Sequence, residues 1–192
     1  MITFNMRGDM SVALRRVGTI ENSLKRRSVA RALNRAATTV RAEARKAIRA
    51  KYNIQAARVN KIIKIKNANP ANLEASVYAK DRRIALAVFG ARESRRKGIV
   101  SVKVLKTGAR KPVQGHRQYA GKPFLMRVGV GRHLGVFQRV TNKRLPIKEL
   151  FSISIPGALR NKEIGQLLRS IARKRFGDEL TRELTRRLGV TR

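Results

Sequence analysis

The sequence contains no cysteine and no tryptophan, only two histidines, and few acidic residues. Without cysteine, disulfide bonds and thiolate metal sites are excluded. No apolar run approaches the roughly 18 residues that a membrane-spanning helix needs. Residues 1–10 also lack the apolar core of a secretory signal. We therefore expect no membrane partner and no disulfide-stabilised fold.

Positive charge is what the sequence has in excess. The chain has 46 Lys and Arg residues against 11 Asp and Glu residues, a formal net charge of +35 over 192 residues. Such a charge repels itself and needs an offset from nucleic acid, an anionic membrane surface or acidic protein neighbours. Arginine outnumbers lysine, and its planar guanidinium suits phosphate and carboxylate. An apolar fraction of 42% still predicts a folded core.

Apolar residues at helical spacing dominate the first part of the chain. Two stripes predict one long helix or two consecutive helices over residues 10–50, within a helical region that extends to residue 62. The first stripe is Met10, Leu14, Val17, Ile20 and Leu24, and the second is Val29, Leu33, Ala36, Val40, Ala44 and Ala47. Tyr52-Asn53 is the expected break, and a short helix is expected over residues 55–62.

Between residues 62 and 155 the apolar period changes to two, which predicts an antiparallel sheet with one face covered by the helical region. The expected strands are residues 63–65, a hairpin at 73–89 turning near Asp81, and residues 99–105, 124–130, 135–140 and 151–155. In the hairpin, Ile84, Leu86 and Val88 are expected on one face. Pro156-Gly157 is expected to end this region.

A helical segment over residues 157–189 closes the chain. Its apolar stripe is expected to stop at Gly177 and to resume after Asp178, which is placed to cap the second half. The stripe comprises Ile164, Leu168, Ile171, Leu180, Leu184 and Leu188. The order helix, sheet, helix predicts an α+β fold in one domain over residues 1–192.

Two stretches, residues 91–98 and 106–123, are rich in Gly, Lys and Arg and are expected to be mobile loops. Glu93 is the only acidic residue between Arg92 and Arg144. We take the cations here as candidate contacts for DNA phosphates or for acidic neighbouring subunits: Arg92, Arg95, Arg96, Lys97, Lys103, Lys106, Arg110 and Lys111. Six phosphate contacts on duplex DNA would give a log–log salt slope of about −5. The residue pattern does not choose between the two partners.

No motif for catalysis or cofactor binding is recognisable. His116 and His133 lie in a basic loop and a Gly-rich turn, with no carboxylate nearby in sequence to orient them. The carboxylates of residues 178–183 are surrounded by arginines, which indicates helix-surface ion pairs. Residues 129–135 have the spacing G-x-G-x-x-x-G between two predicted strands, which indicates a turn and not a dinucleotide loop. We expect no enzyme activity, no metal and no cofactor.

Several segments together carry a family resemblance. Ala32-Leu33-Asn34-Arg35-Ala36-Ala37 lies on the predicted N-terminal helix and is followed by the basic middle region. Later segments are Gly135-Val136-Phe137-Gln138-Arg139-Val140, Arg144-Leu145-Pro146-Ile147 and Ile153-Ser154-Ile155-Pro156, before a closing basic helix. Over nearly its whole length, this pattern resembles the minor tail protein Z family of long-tailed phages, also called tail completion proteins.

The resemblance implies a virion protein at the head-proximal end of the tail, present in the host cytoplasm during assembly, which completes the tail for head–tail joining and DNA passage. It implies a ring of copies, sixfold like the tail tube, beside the tail terminator, the tail tube protein and the tape-measure protein, with the DNA end as a further partner. The role of the middle-region cations is inferred from charge and not from the family. The alternative is a sequence-independent nucleic-acid-binding protein of host type, ribosomal or nucleoid-like.

Overall fold

The computed structural model describes residues 2–5, 22–94 and 98–188. Two long helices, α1 (Asn22–Lys51) and α4 (Lys162–Leu188), pack along each other. Alanines on the buried face of α1 allow this close approach, because they add little bulk between the helices. The long N-terminal helix is confirmed from residue 22, while its predicted first part, residues 10–21, lies outside the described residues.

The helical region ends as the sequence predicts. Helix α1 stops at Lys51, and the amide of Asn53 donates to the carbonyl of Val104 at 2.8 Å, outside the helix. The short helix α2 (Ala56–Ile62) follows and leads directly into a strand. The break at Tyr52-Asn53 and the short helix are both confirmed.

Nine short strands form three separate antiparallel sheets of three strands each among the described residues. Their orders are β1-β3-β2, β4-β5-β6 and β7-β8-β9. The strands are β1 (Ile2–Asn5), β2 (Ile63–Lys66), β3 (Ser76–Ala79), β4 (Arg92–Glu93), β5 (Val100–Val102), β6 (Lys111–Pro112), β7 (Ala120–Val128), β8 (His133–Arg139) and β9 (Ile147–Glu149). The α+β class with antiparallel pairing is confirmed, although three small sheets replace the single sheet that we expected.

The predicted hairpin over residues 73–89 is wrong. Strand β3 already pairs with β1 on one edge and β2 on the other, so it has no edge left for a hairpin partner. Instead Leu86–Phe89 form a 3-10 helix that ends at Gly90, whose φ of +65° suits glycine. Phe89 is buried and Val88 is 42% exposed, so the apolar alternation stops after Leu86.

The predicted strand over residues 151–155 is also wrong. The third strand of its sheet is β9, and Phe151 makes only an isolated bridge to Ala85. Helix α3 (Ile155–Leu159) begins where a strand was expected to end, and the Ser154 hydroxyl accepts a hydrogen bond from the Gly157 amide at 3.1 Å. A serine cap followed by proline in the first turn is a helix-start signal, so Pro156-Gly157 lies in the first turn of a helix.

Helix α4 continues through Gly177, so the predicted interruption and the capping role of Asp178 are wrong. A glycine inside a helix costs only about 1 kcal/mol relative to alanine. Phe176 and Leu180 are buried on either side of it, and packing against α1 outweighs that cost.

One cluster of buried side chains joins the helices to the sheets. It draws on both long helices, the two short helices, the 3-10 helix and strands from each sheet, and includes Leu33, Ile48, Val59, Ile63, Val77, Phe89, Val100, Val136, Ile155 and Leu168. That residues 1–192 form one domain stays a prediction. No helix in the described ranges is both long and apolar enough to cross a membrane.

Candidate functional site

The basic region that begins at Arg92 forms a small sheet. Arg92 lies opposite Ser101, and Ser101 lies opposite Pro112, so β5 is the middle strand. Val100 and Val102 anchor this strand because both are buried in the core. The expectation of mobile loops is therefore wrong for residues 92–93, 111–112 and 120–123, which all lie in strands.

The candidate contact residues of this sheet differ in exposure. Arg92, Lys106 and Lys111 are exposed, and Lys103 is half-buried. Within the described ranges, none of these four forms an ion pair. Arg95, Arg96 and Lys97 lie outside the described residues. Four of the eight candidates thus lie in or beside this small sheet, and Arg92 and Lys111 lie opposite the consecutive residues Ser101 and Val102 of β5.

Arg110 differs from the other candidates, because its guanidinium is engaged by the backbone. It is half-buried and donates to the carbonyl oxygens of Gly90 and, at 3.4 Å, Ser101. These contacts tie the segment before β6 to the end of the 3-10 helix and to β5. Arg110 is placed to hold this sheet together, and its donors are less available to an outside partner.

The adjoining β7-β8-β9 sheet adds cations that the candidate set omitted. Exposed cations on it and on its flanking turns are Arg117, Lys122, Arg127, Arg132, Lys143, Arg144 and Lys148. The two carboxylates of these basic sheets are both engaged. Glu93 accepts from the Leu125 amide at 3.3 Å, and Glu149 lies 2.8 Å from Nε2 of His133. His133 thus has a carboxylate partner that sequence distance concealed.

A buried glutamine fixes the second basic stretch. Gln138 is 2% exposed, and its Oε1 accepts from the His116 amide at 2.6 Å. Its Nε2 donates to the carbonyls of Tyr119 at 3.3 Å and Gly121 at 3.0 Å. A Cβ on Gly115 would lie 2.5 Å from that nitrogen, so only glycine fits there without a shift. One side chain thus holds several consecutive residues of the expected loop in one conformation.

The carboxylates of α4 form ion pairs across the two long helices. Glu183 is 1% exposed, with Nη1 of Arg35 2.9 Å from its Oε1. Arg31 and Arg187 each lie 4.0 Å from its Oε2, and Glu179 lies 3.3 Å from Arg35. Ion pairs on the helix surface were expected here, and Arg182 does pair with Glu179 at 3.2 Å along α4; the burial of Glu183 between the two helices was not expected. Among the described residues, no three His, Asp or Glu side chains are grouped to hold a metal ion.

A second ion pair joins the end of α1 to the start of α4. Nζ of Lys51 lies 2.6 Å from Glu163 and donates to Asn161 at 3.2 Å. The hydrogen bond from Lys51 is the main cause that lowers the pKa of Glu163, and the same bond raises the pKa of Lys51. Arg58 and Asp81 form a similar contact at 3.3 Å between α2 and the segment after β3.

The segment of α1 that carried the family resemblance serves packing. Its apolar members, Ala32, Leu33, Ala36 and Ala37, are fully buried. Asn34 donates to the carbonyl of Ala68 at 2.9 Å and accepts from the Ala68 amide at 2.7 Å. Arg35 is the partner of Glu183. This segment therefore joins α1 to α4 and to the segment after β2.

Comparisons with known proteins give one match. The family model of prophage minor tail protein Z matches residues 8–192, which covers the helix pair and all but the first of the strands. Neither a curated protein nor a solved structure matched the chain. A match over this length includes every segment that carried the resemblance. The chain belongs to the prophage minor tail protein Z family of phage tail proteins.

Proposed function

We propose that this phage tail protein completes the head-proximal end of the tail. In this proposal, copies of the chain form a ring, sixfold like the tail tube, beside the tail terminator, the tube protein and the end of the tape-measure protein. The ring prepares the tail for head joining and for passage of DNA. Family membership supports the tail location and a structural role, and it favours them over a host-type nucleic-acid-binding protein.

One observation carries the DNA part of the proposal: cations in and beside the small sheet have no ion-pair partner among the described residues. Arg92, Lys106 and Lys111 are exposed and unpaired among the described residues, while Glu93 and Glu149 are engaged elsewhere. Duplex DNA carries one negative charge per roughly 1.7 Å of its axis, so its backbone offers phosphate partners to exposed cations without any readout of the bases. Contact of this kind is independent of sequence and suits a DNA end that passes through a tail.

The tail location is tested with the phage that encodes the chain. A deletion of the gene should yield tails that fail to join heads, and a plasmid copy should restore joining. Labelling of a tagged copy by electron microscopy should place it at the head-proximal end. Label at the distal tip, or normal head joining by tails without the chain, would contradict the proposal.

The DNA contact is tested by the salt dependence of duplex binding. The triple variant Arg92→Ala, Lys106→Ala, Lys111→Ala should reduce the log–log salt slope by about 2.7, because each lost phosphate contact removes about 0.9. The matched control replaces three exposed cations of α4, Arg169, Arg173 and Arg186, by alanine and should leave the slope unchanged.

The two variants also separate DNA from acidic protein neighbours as the partner. An unchanged slope with impaired incorporation of the sheet variant into tails would show that these cations meet a protein surface. Equal loss of slope in both variants would show that DNA binding follows net charge alone and has no preferred face.

A further inference from the structure

A groove runs between α1 and α4, with two adjoining openings of about 410 and 310 Å³. The first is lined by Thr39, Glu43, Ile171, Lys174, Arg175 and Asp178, and the second by Ala47, Ala50, Lys51, Glu163, Ile164 and Leu167. The lining residues of each helix recur at spacings of three and four, so the openings share one face of the helix pair. Leu167 is 46% exposed there, and Ala47 and Ile171 are half-buried. The floor of the groove is therefore apolar at the second opening and at Ile171 in the first, and the described residues leave it uncovered.

Two carboxylates of the first opening are unpaired. Glu43 and Asp178 form no hydrogen bond and no ion pair with any described residue, although Lys174 and Arg175 line the same opening. Elsewhere on the helix pair, Glu163, Glu179 and Glu183 each have a cationic partner. Lys174 and Arg175 balance the net charge of this opening, but neither contacts Glu43 or Asp178, so both carboxylates are available to a cation of an occupant whose apolar tip covers Ile171.

The turn of the β7–β8 hairpin has these properties. Val130 at its tip is fully exposed, and the flanking Arg127 and Arg132 are exposed cations. The turn is well formed: the Arg132 amide donates to the Gly129 carbonyl at 3.1 Å, and Arg127 donates to the carbonyl of Arg132 at 3.4 Å. A braced turn that projects an apolar side chain is preorganised for a contact, because little conformational entropy is lost when it docks.

We propose that the hairpin tip of one copy docks in the α1–α4 groove of the next copy. Val130 contacts the floor near Ile171, and Arg132 pairs with Glu43 and Asp178. The inference rests on the ring proposed above and identifies two surfaces that form it. Because the tip and the groove are different surfaces, the contact is heterologous and repeats from copy to copy until the ring closes.

The absence of cysteine makes a direct test possible. One chain carries Val130→Cys and a second, of different tag length, carries Ile171→Cys; they are mixed and oxidised. This pair should give a mixed disulfide dimer. The yield of that dimer should fall about tenfold when the second chain instead carries Arg173→Cys, an exposed position of α4 outside the groove lining. The same cysteine pairs are also oxidised in purified tails. This measures the contact even if the chain associates only within the assembled tail.

A charge-reversal series checks the polar part of the contact. Arg132→Glu should weaken self-association about tenfold, and combining it with Glu43→Arg should restore most of the loss. If the chain assembles but the Val130–Ile171 pair cross-links no better than the control pair, the docking is wrong and the ring stands. If each tail contains a single copy, the ring itself is wrong. The yield of cross-linked dimer and the number of copies per tail are measured on the same samples.

Discussion

Removing Arg35 from its ion pair with Glu183 should destabilise the fold more than removing the buried Glu183 carboxylate. Glu183 is 1% exposed, whereas its closest partner, Arg35, is 48% exposed. Replacing Arg35 by methionine leaves the carboxylate buried, with Arg31 and Arg187 both 4.0 Å away, beyond hydrogen-bond distance. A buried charge without a close partner costs about 3–5 kcal/mol. The reverse change, Glu183→Gln, leaves the Arg35 guanidinium 3.3 Å from Glu179 and 48% exposed to water.

Replacing Glu183 by glutamine should lower the free energy of unfolding less than replacing Arg35 by methionine. Glu183→Gln removes an ion pair whose arginine is about half exposed and therefore screened by water. It leaves a buried amide that needs hydrogen-bond partners, so we expect a loss of about 1–2 kcal/mol in the free energy of unfolding. Global charge works against this order, because losing Arg35 reduces the self-repulsion of a +35 chain and losing Glu183 increases it. An observed larger cost for Arg35→Met would therefore come from the local burial of the carboxylate.

The assay is urea unfolding followed by circular dichroism at 222 nm at neutral pH, with the free energy of unfolding taken from the midpoint and a shared m-value. Arg182→Met is the control: this arginine pairs with Glu179 but is 69% exposed, so we expect a change within about 0.5 kcal/mol. A Glu183→Gln cost equal to or above that of Arg35→Met would refute the reasoning.

Three further predictions concern single contacts. Gln138→Leu should speed amide hydrogen exchange in residues 115–121 at least about tenfold, measured by mass spectrometry, because it removes the bonds that hold that loop. Asn34→Leu should lower the free energy of unfolding by about 1–3 kcal/mol in urea, since it leaves a buried backbone amide unpaired. The Glu163 carboxyl should titrate below its ordinary value of 4.5 by NMR and return toward it in Lys51→Met. Because that pKa is lowered on folding, the stabilisation is present above the unfolded value and is lost as pH falls through the folded one.

The elements with strong local signals were predictable. The alanine-rich stripe is buried on α1 from Val29 to Ala44, and the Gly-rich segment 129–135 does contain a turn between two paired strands, at residues 129–132. Both patterns are local, because a helix face and a hairpin turn are set by residues close in sequence.

The errors lie where distant segments decide the structure. Residues 84–88 alternate like a strand, but the edges of β3 are taken by β2 and by Ile2–Asn5, which lies far away in sequence. Gly177 has the local signature of a helix end, and only packing on α1 keeps α4 intact. In the candidate site, no local pattern could reveal that Arg110 binds backbone carbonyls or that His133 meets Glu149.

The acidic residues of the two long helices and those of the two basic sheets have different kinds of partner. Glu163, Glu179 and Glu183 are paired with cations of α1, and Asp81 is paired with a cation of α2. These contacts join α1 to α4 and α2 to the segment after β3. In the two basic sheets, by contrast, the described carboxylates bind a backbone amide and a histidine, and no Lys or Arg there forms an ion pair with a described residue. In the assembly proposed above, DNA or an acidic neighbour neutralises that surface, and a partner that binds only the folded state adds its binding free energy to the stability of the fold. Assembly and stability are then coupled: a partner that neutralises these sheets also stabilises the fold that presents them.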